Sequence, residues 1–254
     1  MDLTIVGIDC ATDPKKTGLA LGIVEAGRLS VSEVTTGIGK NPAAIVHDWV
    51  CDSPQALLAL DAPLGWPAGL GKTLAGHCAG EGIEEAPNDL FRRKTDSFVV
   101  ETLGKRPLDV GADKIARTAH AALSLLNELR VLCDSEIPLA WSQKPARKIE
   151  AIEVYPAGTL TALGLPSTGY KQPSDRKVRE RILEGMRLDT GLLAEDALAE
   201  NADLLDAAIC VLAAKDFHDW KVMAPRDLDS AQKEGWIWVR PRMEPGLTGS
   251  QKNQ

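Results

Sequence analysis

Ile5-Val6-Gly7-Ile8-Asp9, followed by the turn Thr12-Asp13-Pro14-Lys15-Lys16-Thr17-Gly18 and a second apolar run from Leu19 to Val24, decides how this chain is read. The first run is short, β-branched and glycine-punctuated, which describes a central strand rather than a helix. In the turn, Pro fixes φ, Gly permits positive φ, and Asp and Thr can bond their own backbone. Leu19 to Val24 and Arg28 to Thr36 read as two further strands broken at Gly27, giving a three-strand meander with Asp9 near its first turn. A carboxylate at one strand end is ordinarily a turn or capping residue, but here the pattern recurs. Leu57 to Leu60 is a second buried-type strand ending in Asp61, stopped by Pro63, and the stretch Ile149 to Pro156 carries Glu153. Asp203 and Asp206 lie three apart in a segment, Asn201 to Lys215, whose apolar residues recur at helical spacing, so the two share a face.

Carboxylates brought together repel one another, and burying several without a counter-charge costs several kcal/mol. A divalent cation removes that cost, and an all-oxygen donor set points to Mg²⁺ or Mn²⁺. A softer metal has little to bind: Cys10, Cys51, Cys78, Cys133 and Cys210 are scattered without a C-x-x-C, and His77-Cys78 is the one adjacent His/Cys pair.

The 254 residues, 44% of them apolar, suffice for one large core, and the expectation is a single domain over 1–254 with a glycine-rich insertion at about 64–110 that caps the site, Leu64 to Leu90 covering the carboxylates. Met1-Asp2 leads straight into a strand, no run is long enough to cross a membrane, and five dispersed cysteines fit a reducing compartment, so the cytoplasm is expected. A net charge of −7 disfavours nucleic acid as a partner, because phosphate contacts ordinarily come from a basic surface. Basic clusters at Arg92-Arg93-Lys94, Lys144 to Lys148, and Lys171, Arg176, Lys177, Arg179 and Arg181 weigh the other way, although the last series also reads as a solvated helix face paired with Glu180 and Glu184. Gly71-Lys72-Thr73 lacks the opening glycine of a phosphate loop, since residue 66 is Trp. Tyr155 and Trp66 read as packing residues rather than base-stacking platforms.

Helices are expected at Pro42 to Val50, Ala112 to Leu132, Gly158 to Leu163, Ser174 to Met186 and around Asp203 and Asp206, with Trp236 to Val239 as a closing strand or packed tail. Three meandering strands, then helix, strand, helix, strand and a final helix is the order of the ribonuclease H-like α/β fold with its mixed sheet. Ile8-Asp9 with Thr17-Gly18, and Asp203-Leu204-Leu205-Asp206-Ala207, resemble the first and last acidic motifs of RuvC-type Holliday-junction resolvases. A fuller set resembles domain-of-unknown-function family 429, described as predicted nucleases of that fold. It comprises Gly7-Ile8-Asp9-Cys10-Ala11, Leu60-Asp61-Ala62-Pro63-Leu64-Gly65, Arg93-Lys94-Thr95-Asp96, Glu153-Val154-Tyr155-Pro156-Ala157, Leu205-Asp206-Ala207-Ala208 and Glu234-Gly235-Trp236-Ile237-Trp238. The set runs from about residue 3 to 240. One departure is that the resolvase pattern favours Glu where this chain has Asp61, a shorter arm that would alter the spacing of two metals.

The resemblance implies metal-assisted phosphodiester hydrolysis. Asp9 would bridge one or two Mg²⁺ or Mn²⁺ ions, Asp61 and Asp206 would complete the ligand set, and Asp203 or Glu153 would bind a second ion or orient water. Arg93 and Lys94 are the expected substrate contacts, with an intrahelical Arg93–Asp96 ion pair and a structural Arg93–Glu153 pair as the competing readings. The rival from another class is a non-catalytic module that keeps the fold and regulates a partner. An actin-like or sugar-kinase-type phosphotransferase would need two copies of the fold, and one Gly-Ile-Asp to Thr-Gly motif is present. DNA, RNA, a junction and a small nucleotide all remain open as substrates, as does the oligomeric state.

Overall fold

The computed structural model describes residues 3–111, 113–187 and 190–242; Met1, Asp2 and Ala112, which entered the sequence reading, lie outside them. In chain order the elements are β1 (Leu3–Asp9), β2 (Gly18–Glu25), β3 (Arg28–Thr36), α1 (Pro42–Val50), β4 (Ala56–Asp61), α2 (Ala68–Leu74), α3 (Pro87–Phe91), α4 (Lys94–Leu103) and α5 (Asp113–Leu132). They continue with β5 (Ile149–Glu153), α6 (Pro156–Ala162), α7 (Arg176–Met186), β6 (Thr190–Leu192), α8 (Glu195–Glu200), α9 (Ala202–His218) and α10 (Leu228–Glu234). The strands form one sheet in the order β5-β4-β1-β2-β3-β6. The meander β1-β2-β3 is antiparallel, and β4 and β5 extend it in parallel on the other side of β1. This is the ribonuclease H-like mixed sheet, lengthened by β6, which pairs in parallel with β3. Thr190–Leu192 is too short to show a period of its own, and the sequence reading did not contain it.

Both faces of the sheet are covered, so strand alternation decides which side chain meets which helix. Leu3 and Ile5 of β1 and Leu57 and Ala59 of β4 pack in one cluster with α7 and α9. Val6 and Ile8, with Leu58 and Leu60, pack in the other with α1 and α5. The period of two carries Asp9 and Asp61 onto the α9 face, side by side, because Asp9 is the register partner of Asp61. Nearly every side chain of α9 from Leu204 to Phe217 is buried. Its approach is set by two glycines: a Cβ on Gly7 would lie 2.0 Å from the Ala207 carbonyl oxygen, and one on Gly18 2.2 Å from that of Asp203. Glycine there lets the first turns of α9 touch the strand backbones.

Residues 64–110 hold α2, α3 and α4, and Gly71-Lys72-Thr73 falls inside α2, with Thr73 donating to Glu85. The expected cap does not come from Leu64 to Leu90. Leu64 N–H donates to Glu153 and Ala68 N–H to Glu234, and Gly65 lies against the Glu234 backbone, which directs the chain leaving β4 toward α10. The tail expected at Trp236 to Val239 is a packed strap. Ile237 forms an isolated parallel bridge with Glu153, Trp238 N–H donates to the Glu153 carbonyl, and Ile237 N–H donates to Thr95. Among the described residues no helix is long and apolar enough to cross a membrane.

Candidate functional site

Asp9, Asp61 and Asp206 converge, each offering a carboxylate oxygen within 4.8 Å of the others. Asp9 and Asp61 are half-buried at adjacent strand ends, and Asp206 is fully buried one turn into α9. The Asn201 side chain caps that helix by accepting from the N–H groups of Asp203 and Leu204, which fixes where the turn begins. Tyr170 donates its hydroxyl to Asp206 Oδ1 at 2.9 Å. Oδ2 is buried without a hydrogen-bond partner, and the Lys171 ammonium stands against it as an ion pair.

The crowding shows in the ionisation of the acids. Burial, then the Asp61 carboxylate, raises Asp9 well above the ordinary value of 3.8, with Asp203 adding in the same direction and Lys171 opposing. Burial pushes Asp61 up to about 7, against the pull of Lys171 and with a further push from Glu153. Both shifts say that the site lacks positive charge for the acids it holds.

The other expected residues divide. Asp203 is half-buried and acts on Asp9 through its charge, outside the group of three. Glu153 does not join them. Its register partner is Leu60, which packs on the α5 side, so alternation turns it away from the face that Asp9 and Asp61 share. Both its oxygens accept from Arg93, at 2.7 and 2.9 Å, and one also takes Leu64 N–H. Arg93 is corrected as a substrate contact: it is 1% exposed, and its five N–H groups go to Asp96, Glu153 and the Glu234 carbonyl. The alternative held for it, an ion pair with Asp96 and Glu153, is what the protein forms. Lys94 is corrected as well. Its exposed ammonium pairs with Asp227 and Ser230 beside α10, in a recess separate from the carboxylates.

Asp9 and Asp61 open into a cavity of about 520 Å³ lined by Lys105, Arg106, Tyr155, Tyr170 and Lys171 among others, with Asp206 buried behind them. Lys105 Nζ donates to the Ser167 carbonyl and hydroxyl, and Tyr155 donates to the Arg106 carbonyl, so the two loops that form the wall are tied to each other and to α6. Sequence reasoning missed Lys105 and Arg106, an isolated pair between Gly104 and Pro107 with no periodic pattern around it. It did include Lys171, as one member of a basic series that the fold divides by role. Arg176 makes the expected surface pair with Glu180. Arg179 is buried and donates to the carbonyls of Tyr170, Gln172, Pro173 and Ala199, which fixes the loop carrying Tyr170 and Lys171.

The donor set suits a hard divalent cation. All three groups are carboxylates, and two of the acids resist ionising without a counter-charge. Ligands at about 2.0 to 2.1 Å in octahedral geometry stand about 3 Å apart in cis and about 4 Å in trans, so the three oxygens need only a small closure to share an ion. Cys10 and Cys210 both approach the Ile8 carbonyl beside the acids, but among the described residues no cysteine joins a group of three metal-capable side chains.

Among solved structures, RuvC from T. thermophilus in complex with a Holliday junction substrate is similar at 14% identity, over 81% of this chain and 94% of that one, with a TM-score of 0.29. No curated protein matches the chain. The sequence of the family described as "Protein of unknown function (DUF429)" matches residues 7–228, and the chain belongs to that family.

Proposed function

We propose that this protein is a divalent-metal-dependent phosphodiesterase acting on a nucleic acid or nucleotide. The observation that carries the reading is a group of three convergent carboxylates, two of which line a cavity whose wall bears Lys105, Arg106 and Lys171. Acids alone would repel a phosphodiester and bases alone would merely bind one; the two together bracket it between a cation site and positive side chains.

A Mg²⁺ or Mn²⁺ ion at Asp9, Asp61 and Asp206 supplies Lewis acidity toward the phosphoryl oxygens and lowers the pKa of water. The chain's own groups do the rest. Asp206 is held in orientation by the Tyr170 hydroxyl. Lys171, which pairs with Asp206, lies on the cavity wall and would be the cation that meets a substrate phosphate were Asp206 engaged by a metal. Asp203, close enough to Asp9 to raise its pKa, is placed to accept a proton from the attacking water. Glu153 acts at one remove, anchoring the Arg93 network beneath the loop after β4.

The decisive experiment is a Mn²⁺-dependent cleavage screen over single-stranded DNA, duplex DNA, a four-way junction, RNA and small phosphodiesters, with Asp9→Asn as control. Cleavage by the wild type and not by the variant supports the proposal. Metal binding, read as thermal stabilisation, with no cleavage of any substrate would instead favour a non-catalytic binding or regulatory module.

A further inference from the structure

A second cavity, of about 580 Å³, lies on the far side of Cys10 from the carboxylates. Cys10 lines both cavities, and α5 runs along both. Ile115 and Thr118 face the carboxylate cavity, while Ala121, Ala122 and Leu125 on the same helix face the second. These positions recur at three and four residues, so they form one stripe, and the step from one compartment to the next is about one helical turn, or about 5.4 Å. That is comparable with the reach from a phosphate to the base of the adjoining nucleotide. The two cavities are therefore compartments of one cleft.

The second compartment differs from the first in chemistry. Pro14, Pro42, Ala121 and Leu125 give it apolar walls, the hydroxyls of Thr12 and Ser124 give it polar points, and Asp13, Lys15, Lys40 and Glu128 add two charges of each sign to its lining. Apolar walls beside a few hydrogen-bonding and balanced charged groups suit a planar heteroaromatic ring, and the volume falls within the range of about 300 to 1,000 Å³ usual for small-molecule sites.

Building on the phosphodiesterase reading, we infer that this compartment receives an unpaired nucleobase next to the scissile phosphate, so that the substrate is single-stranded or locally unpaired nucleic acid. A base held in a duplex cannot enter a recess closed by the β1–β2 turn on one side and α5 on the other. A single strand can turn one base into it at little cost, because no pairing is lost.

The test uses fluorescence anisotropy with Ca²⁺ as the ion, a fluorescein-labelled dodecathymidylate, and the matching dodecamer duplex. The wild type should bind the single strand at least about tenfold more tightly, the size of one well-seated base. Ala121→Phe, which fills the compartment from a half-buried position, should abolish that preference, and so should Ser124→Trp, whose parent side chain is exposed and leaves the core untouched. Equal affinity for both forms in the wild type, or a preference that survives both substitutions, overturns the inference. Hydrolysis of bis(4-nitrophenyl) phosphate by the wild type with Mn²⁺ reads the carboxylates alone. Its absence would strike the phosphodiesterase reading while a single-strand preference still stood, so the two failures are distinguishable.

Discussion

Asp61→Asn should flatten the pH dependence of stability in metal-free protein. The folded state lifts Asp61 from 3.8 to about 7, chiefly by burial. At about 1.36 kcal/mol per pH unit, that rise amounts to about 4 kcal/mol of preference for the protonated acid. Because the folded pKa is the higher one, the contribution is fully present below about pH 4 and is lost as pH climbs through about 7. Asp9, raised in the same direction, steepens the fall. Asparagine keeps the shape and carries no charge to lose, and it also relieves Asp9 of its nearest like charge. Urea unfolding in EDTA from pH 4 to pH 8.5 measures this. The variant should match the wild type at the acid end and exceed it by up to about 4 kcal/mol near pH 8. Saturating Mn²⁺ should restore the wild type by mass action and the variant far less. A difference between the two proteins that stays constant across the pH range would refute the reasoning, because it would mean that the Asp61 charge is not what the fold resists.

Asp9→Asn should lower Mn²⁺-dependent hydrolysis by at least about 10- to 100-fold, the usual cost of even an indirect change at a metal, while metal-free melting stays level or rises; undiminished hydrolysis would remove Asp9 from the chemistry. Arg93→Met strands Glu153 and Asp96 in the interior and should cost about 3 to 5 kcal/mol, read by chemical denaturation at neutral pH; a loss under about 1 kcal/mol would mean that these acids find other partners. Gly7→Ala sets a methyl against the Ala207 carbonyl and should cost about 1 to 3 kcal/mol. It should also weaken Mn²⁺ binding by calorimetry, since α9 carries Asp206, and unaltered affinity would show that the helix does not set the site.

What could be read from the chain was what strands announce about themselves. Leu3 to Thr36 showed its meander because alternating apolar runs and a Pro-Lys-Lys-Thr-Gly turn are local signals, and Asp9 and Asp61 were found because each ends such a run. Asp206 was legible through its spacing from Asp203 and through the acidic motif that assigned it, rather than Asp203, to the first ligand set; how closely Gly7 and Gly18 let α9 approach was not. Glu153 looked equivalent to Asp61 because both end strands. One position of register, invisible until β4 and β5 were paired, sends them to opposite faces. Arg93 and Arg179 carry no mark of burial in their neighbours, and charged residues are ordinarily expected at the surface. The cover expected from Leu64 to Leu90 went elsewhere for a similar reason: the direction of that segment was set by the acceptors Glu153 and Glu234, far along the chain, and the part of the insertion that lines the cavity is 105–108.

The strap at Trp236 to Val239 bears on the order in which the molecule can be completed as it is made. Asp9 and Asp61 are made before Asp206, and Glu234 and Ile237 after it. Until those later residues arrive, Arg93 lacks the Glu234 carbonyl, Thr95 lacks the amide of Ile237, and the outer edge of β5 lies open beside Glu153. A ribosome-bound chain therefore holds two of its three convergent acids before it has the third or the clasp behind them. The group of acids is complete only once Asp206 is made, and a chain stopped just short of Trp236 would carry every acid of the site on a scaffold with an unpaired edge.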